Sequence, residues 1–161
     1  MTRALDLYYQ LLKLLLTVLL MLLIIPIGLQ VLSRSFVFIP RFIWTEEIAR
    51  FCFIWIIMIG AMVGVRDGTH FDVDVLPQKM SRAVALAVNL FVHAAIFLVA
   101  LTFIYYGYDF FVLGSRQQSE ISGLPMLTIY IAWPVAGVSW ALFLVERIAK
   151  DIRAFRSAEA A

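Results

Sequence analysis

Long uncharged apolar runs, interrupted by short charged stretches, set the pattern of the chain. Residues 14–33 lie between Lys13 and Arg34, residues 83–108 between Arg82 and Asp109, and residues 121–145 between Glu120 and Glu146. Each run meets or exceeds the about 20 residues that carry a helix across a hydrocarbon core of about 30 Å. A fourth run, 51–65, is uncharged for 15 residues. That is about 22 Å of helix, too short to cross. Extended back to Thr45 it reaches about 31 Å, and it then carries Glu46, Glu47 and Arg50 to the edge of the apolar layer. The spacings i,i+4 (Glu46, Arg50) and i,i+3 (Glu47, Arg50) allow pairing on one helix face. Two acids also suit the positive end of a helix dipole, with Thr45 as the expected cap. The pattern predicts four spans, roughly 12–33, 45–65, 83–108 and 122–145, in one membrane domain covering residues 1–161.

Composition agrees with this. Hydrophobic residues make up 63% of the 161 and charged residues 15%, whereas soluble domains are about half apolar and a quarter charged. A fold of this size in water cannot hide that much apolar surface. The N-terminal apolar run outlasts the h-region of a signal peptide, and no small-x-small cleavage site follows it. The net charge of +2 is spread along the chain and does not point to nucleic acid. The single cysteine, Cys52, rules out an internal disulfide.

The basic residues set an expected orientation. Arg3, Lys13, Arg66, Lys79, Arg82, Arg147, Lys150, Arg153 and Arg156 fall on one side, and Arg34, Arg41, Arg50 and Arg116 on the other, nine against four of the 13. Both termini are therefore expected in the cytoplasm, as an even number of spans requires. The fold class is an all-α integral membrane protein with four transmembrane helices. Beyond the fourth, Val145, Ile148, Ile152 and Phe155 form an apolar stripe opposite basic residues, predicting an amphipathic C-terminal extension along the inner interface. The stretch 36–40 is apolar but too short to span, and is expected at the outer surface or docked on another protein.

Polar residues inside spans mark function more often than not, and few occur. Gln30, Asn89 and His93 are the strongly polar side chains well inside the uncharged runs, and no Asp, Glu, Lys or Arg falls near a span centre. A proton relay or ion-coupling site built from this chain alone is not expected. A bis-histidine haem site would need His70 at the depth of His93, yet His70 belongs to the inner loop. In that loop His70, Asp72 and Asp74 alternate with apolar residues, so an extended conformation would direct all three one way. A divalent-metal site and a docking loop are both open readings, and no metal or cofactor is assigned. Gly60 and Gly64 form a GxxxG in span two, and Gly137 with Ala141 repeats the small-xxx-small spacing in span four, both suited to close helix packing. Pro26 and Pro134 are expected to kink spans one and four. Nothing forms a catalytic constellation, a P-loop or a dinucleotide fingerprint, so an enzyme is not expected.

The run Trp44-Thr45-Glu46-Glu47-Ile48-Ala49-Arg50, then Trp55, Gly60-Ala61, Val65-Arg66 and His70-Phe71-Asp72-Val73-Asp74 resembles the small membrane subunit of tripartite ATP-independent periplasmic (TRAP) transporters. Leu124-Pro125, Tyr130 and Trp133-Pro134-Val135-Ala136-Gly137 add a weaker match. The resemblance implies a scaffold subunit, in a bacterial inner membrane, bound to a large polytopic membrane subunit. That partner would import a small anionic solute, such as a carboxylate or sugar acid, by a sodium-driven elevator motion after capture by a periplasmic solute-binding protein. It also implies that substrate and sodium sites lie on the large subunit, and a separate chain of this length implies an unfused arrangement. Trp44, Glu46, Glu47, Arg50, Trp55, Gly60, Gly64, Arg66, His70, Asp72, Asp74, Pro134 and Gly137 are then the structural and subunit-interface candidates. The rival readings are a small haem-binding redox protein using His93 and His70, and a self-sufficient channel or exporter. No span presents the polar stripe that a pore requires.

Overall fold

A computed structural model describes residues 2–36, 38, 40, 42–68 and 82–159. It contains five helices among them: α1 (Thr2–Ser35), α2 (Ile43–Asp67), α3 (Arg82–Arg116), α4 (Leu127–Tyr130) and α5 (Ala132–Glu159). Four helical stretches are long and apolar enough to cross a membrane, as the hydropathy pattern predicts. They pack in the order α1, α2, α5, α3, each chiefly against its neighbour, with α4 wedged between α2 and α3. This is a row of helices with two open faces. Burial follows from that arrangement: 44% of the most apolar stretch of the fourth span is buried, against 6% for α1 at the edge. Within α1, Leu12 and Pro26 are buried, while Leu14, Val18, Met21 and Ile25 lie exposed. In water such a helix would not be tolerated; lipid solvates it at no cost.

The start of α2 departs from expectation. Its N-cap is Phe42 (φ −91°, ψ 106°), which offers no side-chain cap. Thr45, expected as the cap, sits inside the first turn instead. Its hydroxyl turns back and donates to the Phe42 carbonyl at 2.6 Å. The other end is closed by Gly68 (φ 77°), whose N–H donates to the Gly64 carbonyl at 3.0 Å, a left-handed C-cap. A side chain at position 68 would be strained by that φ and would also collide with the Arg147 guanidinium.

The fourth span also starts later than the hydropathy boundary at 122. Residues 117–126 form a tight hairpin, with Ser119 N–H on the Leu124 carbonyl (2.9 Å) and Met126 N–H on the Gln117 carbonyl (3.0 Å). Gly123 supplies the positive φ of 70° that the turn demands. The helix that follows is interrupted at Ile131, between α4 and α5. Pro134 explains the break, since its ring opposes the carbonyl four residues back, that of Tyr130, and offers no N–H to it. Past this point α5 runs unbroken to Glu159, carrying the C-terminal extension.

Close packing is concentrated between α3 and α5. A Cβ on Gly137 would come within 2.8 Å of the Ala100 carbonyl, and one on Gly107 within 2.8 Å of Pro134 Cβ. One on Gly114 would lie 2.8 Å from the Tyr130 ring. Ala100, Gly107 and Gly114 recur every seven residues, the period that keeps one seam facing a partner helix. Phe103 fills the layer between them, its ring 5.1 Å from that of Trp133 and 4.9 Å from that of Trp140. The GxxxG of span two behaves differently. Gly64 is buried beneath the C-cap, but a Cβ on Gly60 would meet nothing within 4 Å.

Candidate functional site

The charged candidates gather at the two ends of α2, about 30 Å apart along the helix. At the C-terminal end of α2, Arg66 joins three helices. Its Nη1 donates to the Leu5 carbonyl at 2.7 Å, and its Nη2 pairs with Asp6 and lies 3.7 Å from Glu146 Oε2. The guanidinium also stacks 4.6 Å from the Tyr9 ring and 5.4 Å from that of Phe143. Glu146 is 8% exposed and is approached from the other side by Lys150 at 2.9 Å. Nearby, the Tyr9 hydroxyl donates to Asp67, and the Tyr8 hydroxyl lies 2.7 Å from that of Ser139. These contacts tie α1, α2 and α5 together. Of the participants only Arg66 was a candidate from sequence. The i,i+4 spacing of Glu146 and Lys150 was a usable signal for one pair; nothing local indicated that Asp6 or Tyr9 would meet Arg66.

At the N-terminal end of α2, Glu46 and Arg50 pair at 3.3 Å, both largely exposed. Glu47 does not join them. It is 5% exposed, turned toward α4 and the hairpin, and its Oε2 has no hydrogen-bond partner among the described residues. The expected i,i+3 pairing of Glu47 with Arg50 is therefore not made. Burial beneath the hairpin directs the carboxylate away from the face that Arg50 shares with Glu46.

Glu47 instead lines a cavity of about 520 Å³ with Arg50, Gln117, Gln118, Ser119 and Glu120, above Met126 and Ile129. A second cavity of about 500 Å³ lies on the opposite side of the same turn, lined by Gln30, Ser33, Arg34 and Glu46. Arg34 thus faces Glu46, not Glu47. Trp55 fixes the geometry from below: its indole N–H donates to the Thr128 carbonyl at 2.9 Å, pinning α2 to α4. Trp44 is 44% exposed beside Phe42, their rings 6.0 Å apart.

The remaining candidates divide. Pro134 and Gly137 lie in the α3–α5 seam, where each meets its neighbour at near-contact distance. His70, Asp72 and Asp74 lie outside the described residues. His93 is buried in α3, seven residues before Ala100 on the same face, and Cys52 is buried in α2. Among the described residues no group of three or more His, Cys, Asp or Glu side chains is placed to hold a metal ion.

Residues 23–154 match the family model of the DctQ component of tripartite ATP-independent periplasmic transporters. The chain is 32% identical over 109 residues to the sialic acid TRAP transporter permease protein SiaT of Haemophilus influenzae (strain 86-028NP), covering 68% of this chain and 18% of that one. It is 31% identical over 109 residues to a putative TRAP transporter small permease protein of H. influenzae (strain Rd), covering 67% of each. It is 26% identical over 113 residues to the isethionate TRAP transporter permease protein DctMQ of Oleidesulfovibrio alaskensis, covering 69% of this chain and 18% of that one. The chain thus spans less than a fifth of the two larger permease proteins.

Proposed function

The chain belongs to the family of DctQ components of tripartite ATP-independent periplasmic transporters, and from that premise we propose that it is the static scaffold of such a transporter. Its partner in this reading is a large membrane subunit that carries the solute and sodium sites. The observation that supports the reading is the open row of helices. An elevator needs a fixed part that resists sliding in the bilayer while another part moves through it. A row of helices with exposed apolar side chains offers lipid contact on one side and a docking surface on the other. Exposed aromatic residues near its outer end, Trp44 and Phe42 among them, would hold its depth.

In this reading the solute is a small anion delivered by a periplasmic binding protein, and uptake is driven by sodium. The chain lies in the bacterial inner membrane with both termini and the 68–82 loop in the cytoplasm, the side that carries nine of the thirteen basic residues. The hairpin 117–126 and the stretch 36–42 then face the periplasm, where they are placed to help receive the binding protein. The sequence places no Asp, Glu, Lys or Arg near the centre of a span, and in this reading the chain alone moves nothing.

Reconstitution tests the reading. Liposomes with this chain, the large subunit and the binding protein should show sodium-dependent uptake, and omission of this chain should abolish it. Uptake by liposomes containing this chain alone would overturn the scaffold role. Labelling from the periplasm of a cysteine placed at position 69, in a Cys52→Ser background, would overturn the orientation.

A further inference from the structure

Glu47 is an acid carried to the edge of the hydrocarbon layer, 5% exposed, with a carboxylate oxygen that no described group satisfies. An unpaired buried charge of this kind is costly, and a buried carboxylate normally has a cation or several N–H donors against it. Among the described residues, the one cation that lines this cavity is otherwise engaged. Arg50 lines the same cavity, but its guanidinium is held by Glu46 at 3.3 Å. Arg34 lines the cavity on the far side of the turn. The Glu47 cavity therefore has two carboxylates, Glu47 and Glu120, and one arginine that is already paired.

We propose that this cavity receives a basic side chain, an arginine by the shape of its donors and acceptors, from the large membrane subunit. The inference rests on the subunit reading above and adds the contact that joins the two chains. Gln117, Gln118 and Ser119, whose side chains can each present an oxygen, line the cavity wall with Glu47. A guanidinium has five N–H donors in a rigid fork and no acceptor, so one carboxylate flanked by amide and hydroxyl oxygens matches it. A hard metal cation would need six or more oxygen ligands. The wall of this cavity offers two carboxylates, two amides and one hydroxyl, beside Arg50 and four apolar side chains.

The surroundings favour a membrane partner over a soluble one. Below Arg50, on the same face of α2 at spacings of three and seven residues, Phe53 and Ile57 are 55% and 49% exposed. An apolar stripe thus runs down from the mouth of the cavity into the span. A helix laid along that stripe would bring a side chain near its outer end up to Glu47. The arrangement is a polar anchor at the head of an apolar interface, which fixes register better than affinity.

Photo-crosslinking in the complete transporter, in its native membrane, tests this. With Gln118 replaced by p-benzoylphenylalanine, irradiation should give an adduct of this chain with the large subunit. Glu47→Lys, which puts like charge in the cavity, should reduce that adduct and the co-purified large subunit by about tenfold or more. Glu47→Gln should do so to a smaller degree. Exchanging the charges, Glu47→Arg here and the crosslinked basic residue to Glu there, should restore both. An adduct only with the binding protein or with lipid, or no adduct, overturns the proposal while the unaltered chain still co-purifies with the large subunit. So does an equal loss on Arg41→Gln, which would place the donor within this chain. Failure of the unaltered chain to co-purify overturns the subunit reading itself, and this proposal with it.

Discussion

The two ends of α2 carry the same chemistry to opposite outcomes. At the C-terminal end a largely buried charge, Arg66, finds a carbonyl, two carboxylates and two aromatic faces, all within its own chain. At the N-terminal end a buried charge, Glu47, finds an open cavity and no hydrogen-bond partner for Oε2 among the described residues. A buried ionised group costs several kcal/mol unless it is paired, so a chain tolerates it only where pairing is available or supplied from outside. The C-terminal end is therefore a clasp that holds the helices together. The N-terminal end is a site left for something else to complete.

The largest expected effect falls on the clasp. Arg66→Ala strips Glu146 and Asp6 of their shared cation and removes one of the ties between α1 and α2. Removing one partner of a buried pair costs about 3–5 kcal/mol, and the long 3.7 Å approach to Glu146 puts this case near the low end. The measurement is the unfolding midpoint of the purified chain in detergent, followed by tryptophan fluorescence. Arg66→Lys should recover little, because a single ammonium cannot serve the Leu5 carbonyl and Asp6 together while stacking on Tyr9. Stability equal to the unaltered chain for Arg66→Ala would erase the distinction between the two ends.

The same contrast, partner present or absent, can be posed for glycine. Gly137→Leu drives a side chain into the Ala100 carbonyl and the Phe103 and Ile104 side chains and should cost about 1–3 kcal/mol by overpacking. Gly60→Leu meets open space and should leave the isolated chain within about 0.5 kcal/mol of unaltered. If Gly60→Leu nevertheless blocks co-purification with the large subunit, the glycine of span two faces the partner. A large loss of intrinsic stability at Gly60 would contradict the packing described for α2.

Apolar periodicity and run length were enough to read four spans, including the short one that had to borrow Glu46, Glu47 and Arg50. They failed where backbone hydrogen bonds, not hydropathy, set the structure. Residues 121–126 are uncharged and read as membrane, yet Gly123 and Pro125 turn them into a hairpin and the span begins at Leu127. The i,i+4 pair Glu46–Arg50 is local and was legible. The burial of Glu47 depends on a hairpin some seventy positions further along, and the Arg66 clasp on α1, 60 positions earlier. Such contacts leave no trace in a window of one helix. The face of α3 against α5 and α4 does carry a signal, Ala100, Gly107 and Gly114 at heptad spacing, which a four-residue small-xxx-small pattern does not capture.

Glu47→Gln should move stability and assembly in opposite directions. In the isolated chain it replaces an unsatisfied buried carboxylate with a neutral amide, and should raise stability by about 1 kcal/mol. In the complex it removes the charge that a partner cation would meet, and co-purification should fall. The two readouts on one variant separate a site kept for a partner from a site that merely sets the depth of α2. A drop in both would mean that Glu47 is satisfied within this chain after all.

The smallest effect is the sharpest control, because it differs by one residue. Glu46 sits beside Glu47 in the first turn of α2 and carries the same charge at nearly the same depth. Its pair with Arg50 is open to water, with side chains 70% and 61% exposed. Exposed i,i+4 pairs contribute about 0.3–0.5 kcal/mol, and salt screens them. Glu46→Gln should therefore lower the unfolding midpoint barely, and less still in high salt. It also releases Arg50, which lines the Glu47 cavity and is then free to turn toward the vacant carboxylate. Any partner cation would meet a competitor there, so Glu46→Gln should weaken co-purification slightly, and Glu46→Gln with Arg50→Gln should restore it. If Glu46→Gln instead matches the loss seen for Glu47→Gln, and the second substitution brings nothing back, then what assembly senses is the total acidity of the turn. The buried carboxylate would then hold no special place.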